Sequence, residues 1–173
     1  MPVINGLTDL LHPCQVMADI MTVEEHLGTI EDRTVCMVGD GNNLANSWLN
    51  AASVFPFNFT LACPEGYEPD ESILSAAEAA GASFCIMNDP VKAVEGAHVI
   101  YAKSWSSTTH YGDKLGDQNL RNELVDWCVD EPWFANARED CRFMHCLPVR
   151  RNVVVSDGVL NSPVSGRPPT GSH

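Results

Sequence analysis

Three short segments of the sequence carry side chains that could do chemistry, and each directly follows a run typical of a strand. Residues 39–43 form a glycine-containing turn before a helical pattern, where free backbone N–H groups can meet an anion. Residues 102–107 place a lysine where it can meet a carboxylate or phosphate. Residues 143–151 combine an imidazole, a thiol and two guanidinium groups. The structural alternatives are an ordinary turn, a solvated lysine beside a core tryptophan, and a core strand capped by surface arginines.

A fourth group of chemically useful side chains opens the helical pattern Pro13–Leu27. His12 and Gln15 are three residues apart and share a face at the helix N-terminus, so both can hydrogen-bond to one small polar group. Simple capping of the helix by His12 is the alternative interpretation.

The elements that must position these groups alternate between short apolar runs and amphipathic stretches, which predicts a parallel sheet covered by helices. The predicted strands are Thr34–Val38, residues 58–63, Ser83–Met87, residues 98–102 and Arg142–His145. The predicted helices are Pro13–Leu27, with Cys14, Met17, Ala18 and Met21 on one face, residues 42–54, residues 70–80, a short one after Pro90, and residues 132–138. The fold class is therefore a three-layer, doubly wound, Rossmann-like α/β domain, in which ligands bind beyond the carboxyl ends of the strands.

The composition restricts the classes of protein that these segments could belong to. The chain has 173 residues, 45% of them hydrophobic, and its 10 basic and 23 acidic side chains give a formal charge of -13. This is typical of one soluble globular domain with a real hydrophobic core. So acidic a surface repels phosphate backbones and anionic membranes, which makes nucleic acid and membranes poor candidates as partners.

The cysteines and the chain ends predict a reduced, cytoplasmic protein. No two of the seven cysteines have the spacing of a zinc knuckle or redox dithiol, and four of them lie in apolar runs, namely Cys36, Cys63, Cys85 and Cys141. No membrane span or export signal is recognisable. We expect a long functional loop over residues 105–119 and a disordered tail over residues 162–173, which leaves residues 1–161 as the domain.

Several motifs, taken together and in order, resemble the ornithine carbamoyltransferases and their N-acylornithine relatives. They are Asn5-Gly6-Leu7-Thr8-Asp9, His12-Pro13-Cys14-Gln15, Gly39-Asp40-Gly41-Asn42-Asn43, Ala45-Asn46-Ser47 and His145-Cys146-Leu147-Pro148. The resemblance extends from residue 2 to about residue 163 and matches only the second, amino-acid-binding domain of that family.

The resemblance implies transfer of a carbamoyl group from carbamoyl phosphate to the side-chain amine of an amino acid, without cofactor or covalent intermediate. We expect no metal site, because neighbours on a strand such as His145 and Cys146 point to opposite faces. His12 and Gln15 would hold the carbamoyl group, with His12 donating to the oxygen that gains negative charge. Cys146 and the carbonyl of Leu147 would lie by the attacking amine and the carbamoyl nitrogen, and Asn43 would bind the main-chain end of the substrate. The Leu147–Pro148 peptide bond would be cis.

The segment Tyr101-Ala102-Lys103-Ser104-Trp105 departs from the ornithine enzymes, which have an aspartate in place of the lysine to recognise a free α-ammonium group. A lysine there would repel that group. Enzymes that act on N-acetyl- or N-succinylornithine resemble this chain here and in the two arginines that follow Val149. By this resemblance, Lys103 and Arg150 would receive substrate carboxylates, with Ser104 and Trp105 beside them. Those enzymes, however, carry a longer, knotted segment where this chain has its compact glycine turn.

The family's phosphate-gripping Ser-x-Arg-Thr loop lies in its first domain, so we expect this chain alone to be inactive with carbamoyl phosphate. Family enzymes are homotrimers built largely through that domain. The alternative is a stand-alone module that binds a carboxylated amino acid without catalysis. A nucleotide-binding oxidoreductase domain is a third reading, which the absence of a third glycine in the turn disfavours.

Overall fold

The computed structural model describes residues 1–105 and 123–165. Its centre is a sheet of five parallel strands in the order β3-β2-β1-β4-β5. The strands are β1 (Thr34–Val38), β2 (Asn58–Ala62), β3 (Ser83–Met87), β4 (Val99–Ala102) and β5 (Arg142–His145). All five predicted strands are confirmed, and each observed boundary lies within one residue of its prediction.

Helices cover both faces of the sheet, as the doubly wound class requires. One face, called the α1 side here, carries α1 (Pro13–Leu27), α2 (Asn43–Ala52) and α3 (Glu71–Ala79). The other face, called the α4 side, carries α4 (Pro90–Ala93), the 3-10 helices Val125–Trp127 and Glu131–Ala135, α5 (Asp157–Asn161) and a 3-10 turn, Pro163–Ser165. The predicted three-layer Rossmann-like architecture is confirmed.

Short polar side chains set where the helices begin. Asn42 accepts a hydrogen bond from the backbone N–H of Leu44 at the start of α2, and Asp70 accepts one from Ser72 at the start of α3. Such caps satisfy backbone donors that have no partner inside the helix. The two helices begin one residue later than predicted because Asn42 and Asp70 are caps rather than helical residues.

The orientation of α1 differs from what its apolar pattern suggests. The face that holds Cys14, Met17, Ala18 and Met21 is exposed, whereas the buried residues of the helix are Val16, Asp19, Ile20 and Val23. Both sets have the same helical spacing, and a carboxyl group in the second set made it look like the polar face. The sheet therefore receives a helix face that includes a buried aspartate.

The core on the α1 side is centred on an aromatic cluster. Trp48 of α2 stacks on Phe59 of β2 at a centroid distance of 6.1 Å and meets Tyr101 of β4 edge-on at 5.9 Å. All three side chains are fully buried. This packing holds α2 against the central strands and sets the position of its N-terminus at the carboxyl edge of the sheet.

Two predicted segments differ from the structure or fall outside it. In the expected tail, Pro163–Ser165 form a 3-10 turn and Val164 packs against the core on the α4 side, while residues 166–173 lie outside the described residues. The predicted loop is described only at Trp105, since residues 106–122 also lie outside.

Cys85, expected in the core, is exposed on the edge strand β3. Of the helices in the described ranges, none combines the length and apolar character needed to cross a membrane.

The turn after β1 leaves no room for a side chain at Gly41. A Cβ atom there would overlap the backbone nitrogen of Pro69 and the carbonyl carbon of Glu68. We expect Gly41→Ala to lower the free energy of unfolding by about 1–3 kcal/mol, because backbone must move to admit the methyl group. Urea denaturation tests this, with Gly6→Ala as the control, since a Cβ at Gly6 meets no atom within 4 Å. Equal stability of the two variants would contradict the tight turn.

Candidate functional site

Strand register brings three of the sequence segments to one edge of the sheet. Val38, Ala102 and His145 are in register across β1, β4 and β5. The residues that follow them, Gly39, Lys103 and Cys146, therefore leave the sheet side by side. This edge is where ligands bind in open parallel sheets.

Lys103 does not stand alone at this edge, because Asp40 is its partner. The Nζ atom of Lys103 lies 3.3 Å from Oδ1 of Asp40, and each side chain is only 12% exposed. Burial raises the pKa of the Asp40 carboxyl, and the Lys103 charge opposes that rise. The absence of a side chain at Gly39 lets Lys103 lie close to the turn after β1, since a Cβ at Gly39 would lie 3.0 Å from the Cβ of Lys103. The predicted anion receptor thus carries a built-in counterion.

Cys146 turns toward the α1 side, where its thiol is held in the protonated form. Burial is the main cause that raises its pKa, and the neighbouring Asp19 carboxyl acts in the same direction, while Tyr101 and Lys103 oppose them. A thiolate is the nucleophilic form of cysteine. The site therefore offers a neutral thiol suited to contact and orientation, not a covalent nucleophile.

Gln15 reaches this cluster through a buried carboxyl group. Its Nε2 donates to Oδ1 of Asp19 at 2.9 Å, one helical turn along α1. Asp19 is 5% exposed, and burial raises its pKa to about 6 although the Gln15 amide and the Tyr101 hydroxyl oppose the rise. The Tyr101 hydroxyl lies next to both Asp19 and Cys146 without completing a hydrogen bond among the described residues. The start of α1 is thus connected to the end of β5.

His145 points to the opposite face from Cys146, as alternation along a strand requires. Its ring borders a surface depression on the α4 side with Phe143 and Leu160. Its Nδ1 accepts the backbone N–H of Leu147 at 2.8 Å. Burial, assisted by the Lys103 charge, lowers the His145 pKa to about 4, so the ring is neutral at pH 7. The Leu147–Pro148 bond is cis, which confirms the prediction.

His12 and Asn43 lie at the N-termini of α1 and α2, which the N-terminal segment joins. The Nδ1 of His12 donates to the carbonyl of Gly6 at 3.0 Å, and its backbone N–H donates to Ser47 of α2 at 2.7 Å. The side chain of His12 makes no capping hydrogen bond, so the capping alternative is wrong. The amide of Asn43 donates to the carbonyl of Thr8 at 2.8 Å. Both predicted site residues therefore hydrogen-bond to backbone carbonyl groups of the segment that precedes α1.

Ser104 and Trp105, which follow Lys103, have different surroundings. The hydroxyl of Ser104 donates to the carbonyl of Pro148 at 3.5 Å, which ties the loop after β4 to the loop after β5. Trp105 is 3% exposed and packs edge-on against Tyr67 and Trp127 at 6.1 Å and 5.9 Å. Trp105, expected beside the substrate carboxylates, therefore lies within the core of the α4 side.

The two adjacent arginines after Pro148, Arg150 and Arg151, have different surroundings. Arg151 forms an ion pair with Asp157, the first residue of α5, and Asn152 exchanges hydrogen bonds with the same residue. Arg150 is exposed on this loop. The clamp at Asp157 sets the course of the loop that presents Arg150.

The structure thus joins Gln15, Lys103, Cys146 and Ser104 at neighbouring elements, and it adds three residues that the sequence analysis missed as site components: Asp19, Asp40 and Tyr101. The four-residue spacing of Gln15 and Asp19 was a signal that could have identified the first. Within the described ranges, no group of three or more histidine, cysteine, aspartate or glutamate side chains is placed to hold a metal ion. Hydrogen-bond donors, a cation and a neutral thiol can bind and orient a polar ligand.

Comparison with known proteins identifies the family. The family model described as "Aspartate/ornithine carbamoyltransferase, Asp/Orn binding domain" matches residues 31–166. The chain belongs to this family. The resemblance seen in the motifs is therefore confirmed.

Individual family members match along nearly the whole chain. The ornithine carbamoyltransferase of Oleidesulfovibrio alaskensis is 45% identical over 164 residues, which are 95% of this chain and 54% of that protein. The structure of the ornithine carbamoyltransferase from Pyrococcus furiosus has a TM-score of 0.83 at 41% identity and covers 92% of this chain and 51% of its own. A mutant N-acetyl-L-ornithine transcarbamylase complexed with PALAO has a TM-score of 0.73 at 32% identity, covering 89% and 50%. The chain spans about half the length of these family members.

The buried Asp19 makes stability depend on pH. Its folded-state pKa of about 6 lies above the ordinary aspartate value of 3.8, so the contribution of its protonated form to stability is complete below about pH 4 and is lost as the pH rises through 6. Asp19→Asn removes that loss. We expect the difference in free energy of unfolding between the variant and the wild type to increase in favour of the variant by roughly 2–3 kcal/mol from about pH 4 to about pH 7, at 1.36 kcal/mol per pKa unit.

Urea unfolding at several pH values measures this difference. The opposite pH dependence from the lowered pKa of His145 is present in both proteins and cancels in the comparison. Glu24→Gln, which neutralises an exposed carboxyl on the same helix, is the matched control. A gap between Asp19→Asn and wild type that stays constant with pH would show that the carboxyl is not buried as described.

Proposed function

We propose that this chain is the amino-acid-binding part of a carbamoyltransferase that acts on ornithine or an N-acylornithine. The observation that carries the proposal is the group at the sheet edge: Lys103 and Cys146 leave neighbouring strands together, and Asp19 and Tyr101 connect the thiol with Gln15 of α1. The matching relatives are named for carbamoyl transfer to ornithine. The product would be a ureido amino acid of the kind that arginine biosynthesis uses.

In the proposed reaction, the substrate amine attacks the carbamoyl carbon, the bond from that carbon to the phosphate oxygen breaks, and the amine loses a proton. The residues described here would act by positioning and by stabilising charge. Gln15 and His12 would hold the carbamoyl group. Because Nδ1 of His12 already donates to Gly6, the ring must carry a second proton on Nε2 if it also donates to the carbamoyl oxygen. Cys146, protonated, and the Leu147 carbonyl would border the amine.

The amino-acid end of the substrate would meet Lys103, Arg150 and Asn43. The pairing of Lys103 with Asp40 bears on which substrate is accepted, because a carboxylate must compete with Asp40 for the ammonium group. Lys103 repels a free α-ammonium placed nearby and Asp40 reduces that repulsion, whereas an N-acylated amine carries no charge to be repelled. We therefore favour an N-acylated or otherwise anionic ornithine analogue over ornithine.

Calorimetric titration with ornithine, N-acetylornithine and N-succinylornithine tests this preference. We expect the acylated ligands to bind more tightly than ornithine. We expect Asp40→Asn to strengthen their binding, because Lys103 loses its internal counterion. Adding Lys103→Met to Asp40→Asn should then weaken binding roughly tenfold or more, the loss expected for one charged hydrogen bond.

The double variant leaves no unpaired buried charge, so a loss of binding is not a loss of folding. Lys92→Met, on the exposed surface of α4, is the matched control and should bind as wild type does. Tighter binding of ornithine than of either acylated ligand would overturn the preference for an acyl group.

We further propose that the purified chain does not turn over carbamoyl phosphate until a carbamoyl phosphate-binding half is supplied. Support comes from the match to the amino-acid-binding domain alone and from the half-length overlap with relatives. Addition of the unmatched half of the Oleidesulfovibrio alaskensis enzyme should produce a ureido product, measured colorimetrically. Steady product formation by the chain alone would refute this. Ligand binding with no activity in the mixture would favour a stand-alone binding module.

A further inference from the structure

Asp19 is a buried carboxyl group to which the proposed reaction gives no task. It lies on the inner face of α1, is 5% exposed, and faces the Tyr101 hydroxyl and the Cys146 thiol. Its Oδ1 accepts the Gln15 amide at 2.9 Å, while its Oδ2 has no hydrogen-bond partner among the described residues. A buried carboxyl so weakly compensated is costly. A hydrophobic residue of similar size would fill the same place without that cost.

The contact between Asp19 and Gln15 is informative because the two groups differ in hydrogen-bonding capacity. An ionised carboxyl can only accept hydrogen bonds, whereas a glutamine amide has a donating end and an accepting end. The Gln15 amide must therefore turn its NH2 group toward Asp19. Its Oε1 atom is left as the acceptor that can meet a ligand, and the second N–H of the amide stays available as a donor.

We infer that Asp19 is a positioning residue that fixes the orientation of the Gln15 amide, so that the site presents a hydrogen-bond acceptor to an N–H group of its ligand. A ligand with an amide NH2 group fits this acceptor, and the carbamoyl group has one. The identity of the ligand rests on the proposed function. The orientation of the amide does not, because it follows from the Asp19 contact alone.

The charge on Asp19 controls how firmly this orientation is held. Burial raises the Asp19 pKa to about 6. Once protonated, the carboxyl can donate to Oε1 of Gln15, and the amide can then adopt either orientation. The other groups that face Asp19 are the Tyr101 hydroxyl of β4 and the Cys146 thiol at the end of β5. Both are neutral at pH 6, since the ordinary pKa of each lies well above 6 and burial raises it further. The acceptor end is thus selected above about pH 6 and released below it.

Nuclear magnetic resonance of the isotopically labelled chain tests this without any ligand. We expect the Gln15 side-chain NH2 resonances to shift between about pH 5 and about pH 8 with a midpoint near 6, following the Asp19 carboxyl. The Gln15→Ala spectrum assigns these resonances. Asp19→Asn should abolish the titration, whereas Glu24→Gln, an exposed carboxyl on the same helix, should leave it unchanged. A purely structural role for Asp19 would change stability without a titration at Gln15.

Two results would overturn the inference. One is a Gln15 side-chain signal in the wild-type chain that does not change over this range, a result that needs no variant and so does not depend on the folding of Asp19→Asn. The other is a titration that persists unchanged in folded Asp19→Asn. If the titration is found but the chain and the supplied half show neither ligand binding nor activity, the proposed function fails while the positioning role of Asp19 stands.

Discussion

Parallel pairing of β1 with β4, and of β4 with β5, is the constraint from which the site follows. These pairings put strands that are far apart in the chain in register, so that Gly39, Lys103 and Cys146 leave the sheet side by side. Because the strands are parallel, their carboxyl ends share one edge. The Asp40–Lys103 pair forms across the first of these junctions, and the contact of Ser104 with Pro148 forms across the second.

A second feature of the site is the layer of polar groups buried beneath it. Asp19, Tyr101 and Cys146 lie within the apolar packing of the α1 side, and burial raises the pKa of each. Groups that remain protonated in this way act as hydrogen-bond donors or neutral walls, and only Asp19 changes charge near neutral pH. The site is therefore built to orient a ligand, with its reactive groups kept in defined protonation states.

Much of the fold was predictable because the signals that encode it are local. The apolar runs of β1 and β4 and the caps Asn42 and Asp70 act over a few neighbouring residues, so the strands and the helices α1 to α4 were predicted within about two residues. The helix predicted over residues 132–138 is instead the shorter 3-10 helix Glu131–Ala135. The face of α1 that packs on the sheet was not predicted correctly. Its two candidate faces have equal spacing, and the one with Asp19 is buried because Val16, Ile20 and Val23 fit the sheet.

By itself, the sequence determined the α/β class, the family resemblance and the segments that carry Lys103, Cys146 and His12, since residue type and short-range order suffice for these. Only the tertiary structure decided that Asp40 neutralises Lys103, that Trp105 is buried, and that Asp19 connects Gln15 with the thiol. The physical reason is that these contacts depend on strand order and helix rotation. Both are set by the packing of the whole core, which no local pattern records.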